Sequence, residues 1–156
     1  MRALIVYESL FGTNRTIAEA VAAGLGDVAT VTLLAAETAP ATVGEDVDLL
    51  VVGAPNHRFG LPRPSSRADA AQWEGAPPAA ERGVREWLEE LVLSRSSQPA
   101  AVWDTRMASP RLLDTVDHSS RTIAKRLERA GARLVLEPRH FYCTDGRGEL
   151  VECEED

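Results

Sequence analysis

The sequence predicts an α/β protein built on an open parallel sheet, on three observations. Its apolar runs are short and continuous rather than alternating, as in strands covered on both faces. Segments with apolar residues at helical spacing separate these runs. A polar loop containing glycine follows the first run and leads into the first helix.

The elements follow in chain order. Ala3, Leu4, Ile5 and Val6 form a first strand ending at Tyr7, and the turn over residues 8–14 gives way to Ile17, Ala18, Val21, Ala22 and Leu25 at helical spacing, stopped by Gly24 and Gly26. A second strand over residues 28–34 and a small-residue connection over 35–44 precede a third strand over 48–53. The β-branched content of that third strand marks it as central. Residues 54–80 carry Pro55, Pro62, Pro64, Pro77 and Pro78, so no long regular element fits most of the stretch. Loops of this length are usually functional or disordered. Residues 81–93 resume helical spacing through Val84, Trp87, Leu88 and Leu91, and residues 99–103 give a fourth strand. A helix over 115–130 stops at Gly131, a fifth strand over 133–144 bends at Pro138, and residues 145–156 are polar and acidic. Parallel neighbours need crossover connections, which are right-handed.

The 156 residues, 44% of them hydrophobic, fit a single domain over 1–156. A net charge of −7 argues against nucleic acid or an anionic membrane as partner. No apolar run approaches the roughly 20 residues that cross a bilayer, and the first residues lack signal-peptide organisation, so the expected compartment is the cytoplasm. Cys143 and Cys153 form no metal or disulfide spacing and read as reduced thiols.

In such a sheet ligands bind beyond the carboxyl ends of the strands, where strand order reverses. The loop Ser9, Leu10, Phe11, Gly12, Thr13, Asn14, Arg15, Thr16 offers a helix N-terminus, which favours an anion. Ser9, Thr13 and Thr16 add hydroxyls, Asn14 adds an amide, and Gly12 permits close approach of a phosphate. The spacing is neither a Walker loop nor a dinucleotide fingerprint, and an ordinary Ser or Thr helix cap is an equal reading of this loop alone.

Leu4 to Asn14, then Gly53 Ala54 Pro55 Asn56 His57, then Ala101 Val102 Trp103 Asp104 Thr105 Arg106 resemble, in order and spacing, the three cofactor loops of flavodoxin-like proteins. The resemblance is nearest to single-domain members from high-GC bacteria, in keeping with Lys125 being the only lysine. It implies the flavodoxin-like fold: five parallel strands in order 2-1-3-4-5, helices on both faces, and FMN at the switch point, an arrangement flavodoxin itself exemplifies. Carried over, Ser9, Leu10, Phe11, Gly12, Thr13, Asn14 and Thr16 hold the FMN phosphate. Pro55, Asn56, His57, Phe59 and Gly60 border the ring, and Asp104, Thr105 and Arg106 close its other side. The chain departs from the family in three ways. Phe11 Gly12 Thr13 Asn14 stands where Thr-Gly-Asn-Thr is usual, the stacking Trp and Tyr of the second and third loops are absent, and the C-terminal helix is shortened or missing. If that end leaves apolar sheet surface bare, a symmetric homodimer is one way to bury it.

Among single residues, His57 reads as a flavin neighbour or a solvated histidine, and Phe59 as a ring neighbour or a loop anchor. Arg106 reads as positive charge near the flavin or as the salt-bridge partner of Asp104 or Asp114. Arg58, Arg63 and Arg67 either recognise a nicotinamide dinucleotide or acidic partner, or are solvated. Trp73, Trp87 and Trp103 are expected to pack. His118 and His140 have no convergent carboxylate in sequence. No catalytic nucleophile or acid/base pair stands out, so the hard chemistry would be the flavin's.

Three functions follow. The first is an FMN-binding electron carrier that meets a redox partner or reductase through its acidic surface. The second is an FMN-dependent NAD(P)H or quinone oxidoreductase using the arginine-bearing loop. The third is a binding module on the same fold that has lost FMN.

Overall fold

The computed structural model describes residues 1–108 and 118–144. Among the described residues eight strands and four helices succeed one another: β1 (Arg2–Tyr7), α1 (Thr13–Leu25), β2 (Thr30–Ala35), β3 (Thr42–Val43), β4 (Leu49–Pro55), α2 (Pro64–Ala70), α3 (Val84–Glu90), β5 (Val92–Leu93), β6 (Gln98–Met107), α4 (Ser119–Ala130), β7 (Ala132–Leu134) and β8 (Arg139–Cys143). The main sheet is parallel throughout in the order β2-β1-β4-β6, with β7 and β8 both on the far edge of β6. This is the predicted order, with the fifth strand in two pieces. The first piece pairs with residues 98–100 and the second with 103–107. Pro138, which has no N–H to give a ladder, lies in the interruption between them.

Continuous apolar runs make the central strands because both faces are covered. Leu4, Val6, Leu50, Val52, Ala100 and Val102 face one side with Val84, Trp87, Leu88, Ile123 and Leu127 of α3 and α4. Ile5, Val51 and Trp103 face the other with Ile17 and Ala18 of α1. Burying an aliphatic side chain of this kind contributes about 1.5–3 kcal/mol, so β1 and β4 form the rigid floor of the molecule. On the α1 side an apolar groove of about 210 Å³ runs past Val21, Leu25, Trp103, Leu136 and Phe141. The expected shortening of the C-terminal helix concerns residues outside those described, as do Asp114 and Cys153.

Two expectations are corrected and two segments gain detail. The third helix stops at Glu90 rather than residue 93, because Val92 and Leu93 leave to pair with Thr42 and Val43 in a second, two-stranded parallel sheet. The small-residue connection from β2 to β4 therefore carries the short strand β3. The proline-rich stretch contains α2, for which Pro64 is no obstacle because it sits in the first turn, where its missing N–H costs nothing. The fourth strand runs to Met107, so Asp104, Thr105 and Arg106 belong to a strand rather than a loop.

Candidate functional site

The strand register brings Tyr7, Gly53 and Trp103 to one level across β1, β4 and β6. Beyond that level the chain leaves the sheet on the segments following β1 and β4, and a cavity of about 150 Å³ opens between them. Its walls are Ser9, Leu10, Phe11, Thr13 and Asn14 from the first segment, Pro55, Asn56 and His57 from the second, and Thr105 and Arg106 from β6. These ten residues were all expected at the site. Arg58, Met107 and Cys143 complete the wall.

The first segment is held from below. Trp103 lies across Gly53 so closely that a Cβ there would sit 1.9 Å from the indole; only glycine admits the ring. The indole Nε1 donates to Asn14 Oδ1 at 2.9 Å, and Asn14 Nδ2 donates to Thr105 Oγ1 at 2.9 Å. Asn14 is thus buried and aimed inward at β6, its amide engaged with the protein. Gly12 turns the chain into α1 with φ 95° and open space where a side chain would be. Its N–H donates to Ser9 Oγ at 3.0 Å, and Thr16 Oγ1 donates to Gly12 O at 3.2 Å. Gly12 and Thr16 flank the cavity without lining it. The first turn of α1 points its N–H groups at this segment, as the start of any helix does.

The second segment carries two of the five partnerless buried side-chain atoms among the described residues; the others are Arg67 Nη1, Gln98 Oε1 and Ser120 Oγ. Asn56 Oδ1 accepts from Ser119 N at 2.9 Å, and Asn56 N donates to Thr105 O at 2.9 Å. Asn56 Nδ2 and His57 Nδ1 are buried with no hydrogen-bond partner. Buried polar groups are nearly always satisfied, and an orphan costs about 1–3 kcal/mol. Burial, and then the charge of Arg58, hold the His57 imidazole below its ordinary pKa. Arg58 and Phe59 both adopt left-handed backbone, with φ 52° and 66°, a strained state for side chains of that size. Phe59 is 60% exposed beside the cavity and does not anchor the loop. His57 N donates to Gly60 O at 2.8 Å, closing the turn.

Asp104 is a fully buried carboxylate below the third wall. It accepts from Arg106 Nε at 3.0 Å, Arg106 Nη2 at 3.2 Å and Ser120 N at 3.0 Å, and stands 2.8 Å from His140 Nδ1. Burial raises the Asp104 pKa, but the hydrogen bonds from Arg106 and His140 outweigh it and hold the group below its ordinary value. The pairing of β6 with β8 sets His140 opposite Asp104, a convergence that sequence distance hides. Of the two readings for Arg106, the structure shows the salt bridge to Asp104.

A second buried network lies behind the first segment. Arg67, 1% exposed, donates from Nε to Glu8 Oε1 at 2.6 Å and from Nη2 to Glu86 Oε2 at 2.7 Å. Glu8 Oε2 accepts from Val84 N at 2.9 Å. Burial raises Glu8 above its usual range despite Arg67. In Glu86, by contrast, the hydrogen bonds from Arg67 and Gly83 overcome burial and lower the pKa. Arg67 is therefore not part of a cationic loop facing solvent. Arg58 is likewise engaged, with Asp69. Trp87 and Trp103 are buried as expected, but Trp73 is 48% exposed and stacks obliquely on Phe11 with ring centroids 5.7 Å apart.

Known structures share this fold. A flavodoxin of Streptococcus pneumonia TIGR4 superposes with a TM-score of 0.60 at 19% identity over 89% of this chain and 83% of its own. A flavodoxin from the domain Archaea gives 0.58 at 16% over 94% and 88%. Oxidised Flavodoxin 2 from Bacillus cereus gives 0.54 at 24% over 91% and 84%. No family model and no curated protein matches the sequence. The fold is the flavodoxin-like fold.

Proposed function

We propose that the chain binds FMN at the cavity between the ends of β1, β4 and β6 and works as an electron carrier of the flavodoxin type. The observation that carries this reading is that two adjacent residues of the cavity wall, Asn56 and His57, each keep a buried side-chain nitrogen, Nδ2 and Nδ1, without a hydrogen-bond partner. Polar atoms in that state call for a polar ligand at the switch point, where open α/β sheets take theirs. FMN, when bound, supplies one- and two-electron transfer.

The residue types present fit it, and the space of about 150 Å³ would have to open further to take the whole group. Residues 9–13 and the start of α1 would hold the phosphate, with Asn14 fixing the segment to β6 through Trp103 and Thr105. Asn56 and His57 would give hydrogen bonds at the ring, and Phe59, Met107 and Leu10 would exclude water from its edges. Arg106, neutralised by Asp104 beside it, adds little net charge. The acidic balance of −7 suits docking to an electropositive redox protein. A buried Cys143 that forms no disulfide among the described residues fits the cytoplasm as the working compartment.

A visible spectrum and a titration of apoprotein with FMN, read by flavin fluorescence, test the proposal. Affinity at or tighter than micromolar, about −8 kcal/mol, is the expected result. A protein that leaves FMN fluorescence unchanged overturns it and returns the fold to a binding role. Direct oxidation of NADPH with a quinone acceptor would instead favour the self-contained oxidoreductase.

A further inference from the structure

A second cavity, of about 520 Å³, lies on the opposite side of the segment after β1, toward the end of β2. We propose that it binds a small organic cation with an alkylated ammonium head. The chain has few aromatic residues, yet one of each kind, Tyr7, Phe11 and Trp73, lines this space. Phe11 and Trp73 are in ring contact, with centroids 5.7 Å apart and planes tilted by 49°. The face of an aromatic ring attracts a cation, and quaternary ammonium groups are recognised in this way.

The charges on the wall point to the same guest. Glu8, Glu37 and Glu74 line the cavity. Glu8 is engaged with Arg67 and Val84, whereas Glu37 and Glu74 have no ion-pair partner among the described residues. The two cations on the wall are already occupied. Arg15 pairs with Glu19 at 2.9 Å, and Arg82 pairs with Glu90 at 2.9 Å while donating to Ala36 O and Ala39 O. An anionic guest would therefore meet uncompensated carboxylates, and a cationic one would find them free. Among the described residues no group of three His, Cys, Asp or Glu converges as a metal site, so the carboxylates are spread around the space rather than gathered on one ion. The volume falls in the range of about 300–1,000 Å³ typical of small-molecule sites.

Choline is the probe, with 3,3-dimethylbutan-1-ol as its uncharged isostere, titrated by calorimetry and by amide chemical shifts. Saturable choline binding with a millimolar or tighter constant is expected, at least about tenfold tighter than the alcohol. Trp73→Ala and Glu74→Gln should each weaken it roughly 3- to 30-fold with unchanged circular dichroism; both positions belong to the cavity rim rather than the core. No choline binding up to about fifty times a millimolar constant, equal binding of the alcohol, or folded variants that bind choline as the native chain does would each overturn the proposal. The FMN titration is read separately. Choline binding by a protein that ignores FMN would sink the carrier reading and leave this one standing, and the converse holds as well.

Discussion

Gly53, Trp103 and Asn14 form a stack in which each residue is specified by the next. Replacing Gly53 by Ala drives a methyl into the indole, and overpacking of this kind costs about 1–3 kcal/mol. Trp103→Phe keeps most of the ring contact but strips Asn14 Oδ1 of its donor, an expected loss of about 1–3 kcal/mol. Urea denaturation of the two variants measures both, and native-like midpoints would contradict the stack. Asp104 governs a different property. Its pKa is lower folded than unfolded, so its contribution to stability is complete above the unfolded value of about 3.9 and disappears as pH falls through the folded one. Thermal melts from pH 6 down to 2 should show an acid-side decline that Asp104→Asn flattens. A decline of the same steepness in the variant would assign it to other carboxylates.

At the scale of elements, α2 and α3 are tied to the end of β1 by Arg67. Removing one partner of a buried ion pair costs about 3–5 kcal/mol because the other charge is stranded. Arg67→Met should therefore be severely destabilising, and adding Glu8→Gln should recover much of the loss, since the stranded carboxylate is then gone. A double variant no more stable than the single one would show that packing of α2, not charge, holds the segment. The sequence is legible here only in part. The helices α1 and α4 and the strands β1 and β4 are written in local periodicity, and the ten expected residues that line the cavity sit on segments whose order matches a known pattern. Asp104, Thr105 and Arg106 read as a polar loop because their partners, His140 and Ser120, arrive from β8 and α4. Local pattern carries no such information. Arg67 reads as a recognition group or as solvated, and not as buried, for the same reason: both of its carboxylates, Glu8 and Glu86, are distant in sequence. Pro64 hid α2, since proline density speaks for irregular chain even where the first turn of a helix tolerates it.

Across the whole molecule, charge is the property that a partner would sense. On the proposed carrier function, a net charge of −7 means that electron exchange with an electropositive reductase should slow by about tenfold or more between low and high salt, as steered association does. Stopped-flow rates over that range check it, and a rate indifferent to salt would leave docking to apolar contacts such as those Phe59 and Met107 present. The divided fifth strand has a colloidal consequence as well. A long outer strand is a template on which a second chain can hydrogen-bond, and from there sheets grow between molecules. Here that border is offered as three residues and then five, with 135–138 between them. Crowded or heated protein therefore finds no continuous seam along β7 and β8 on which to nucleate a fibre.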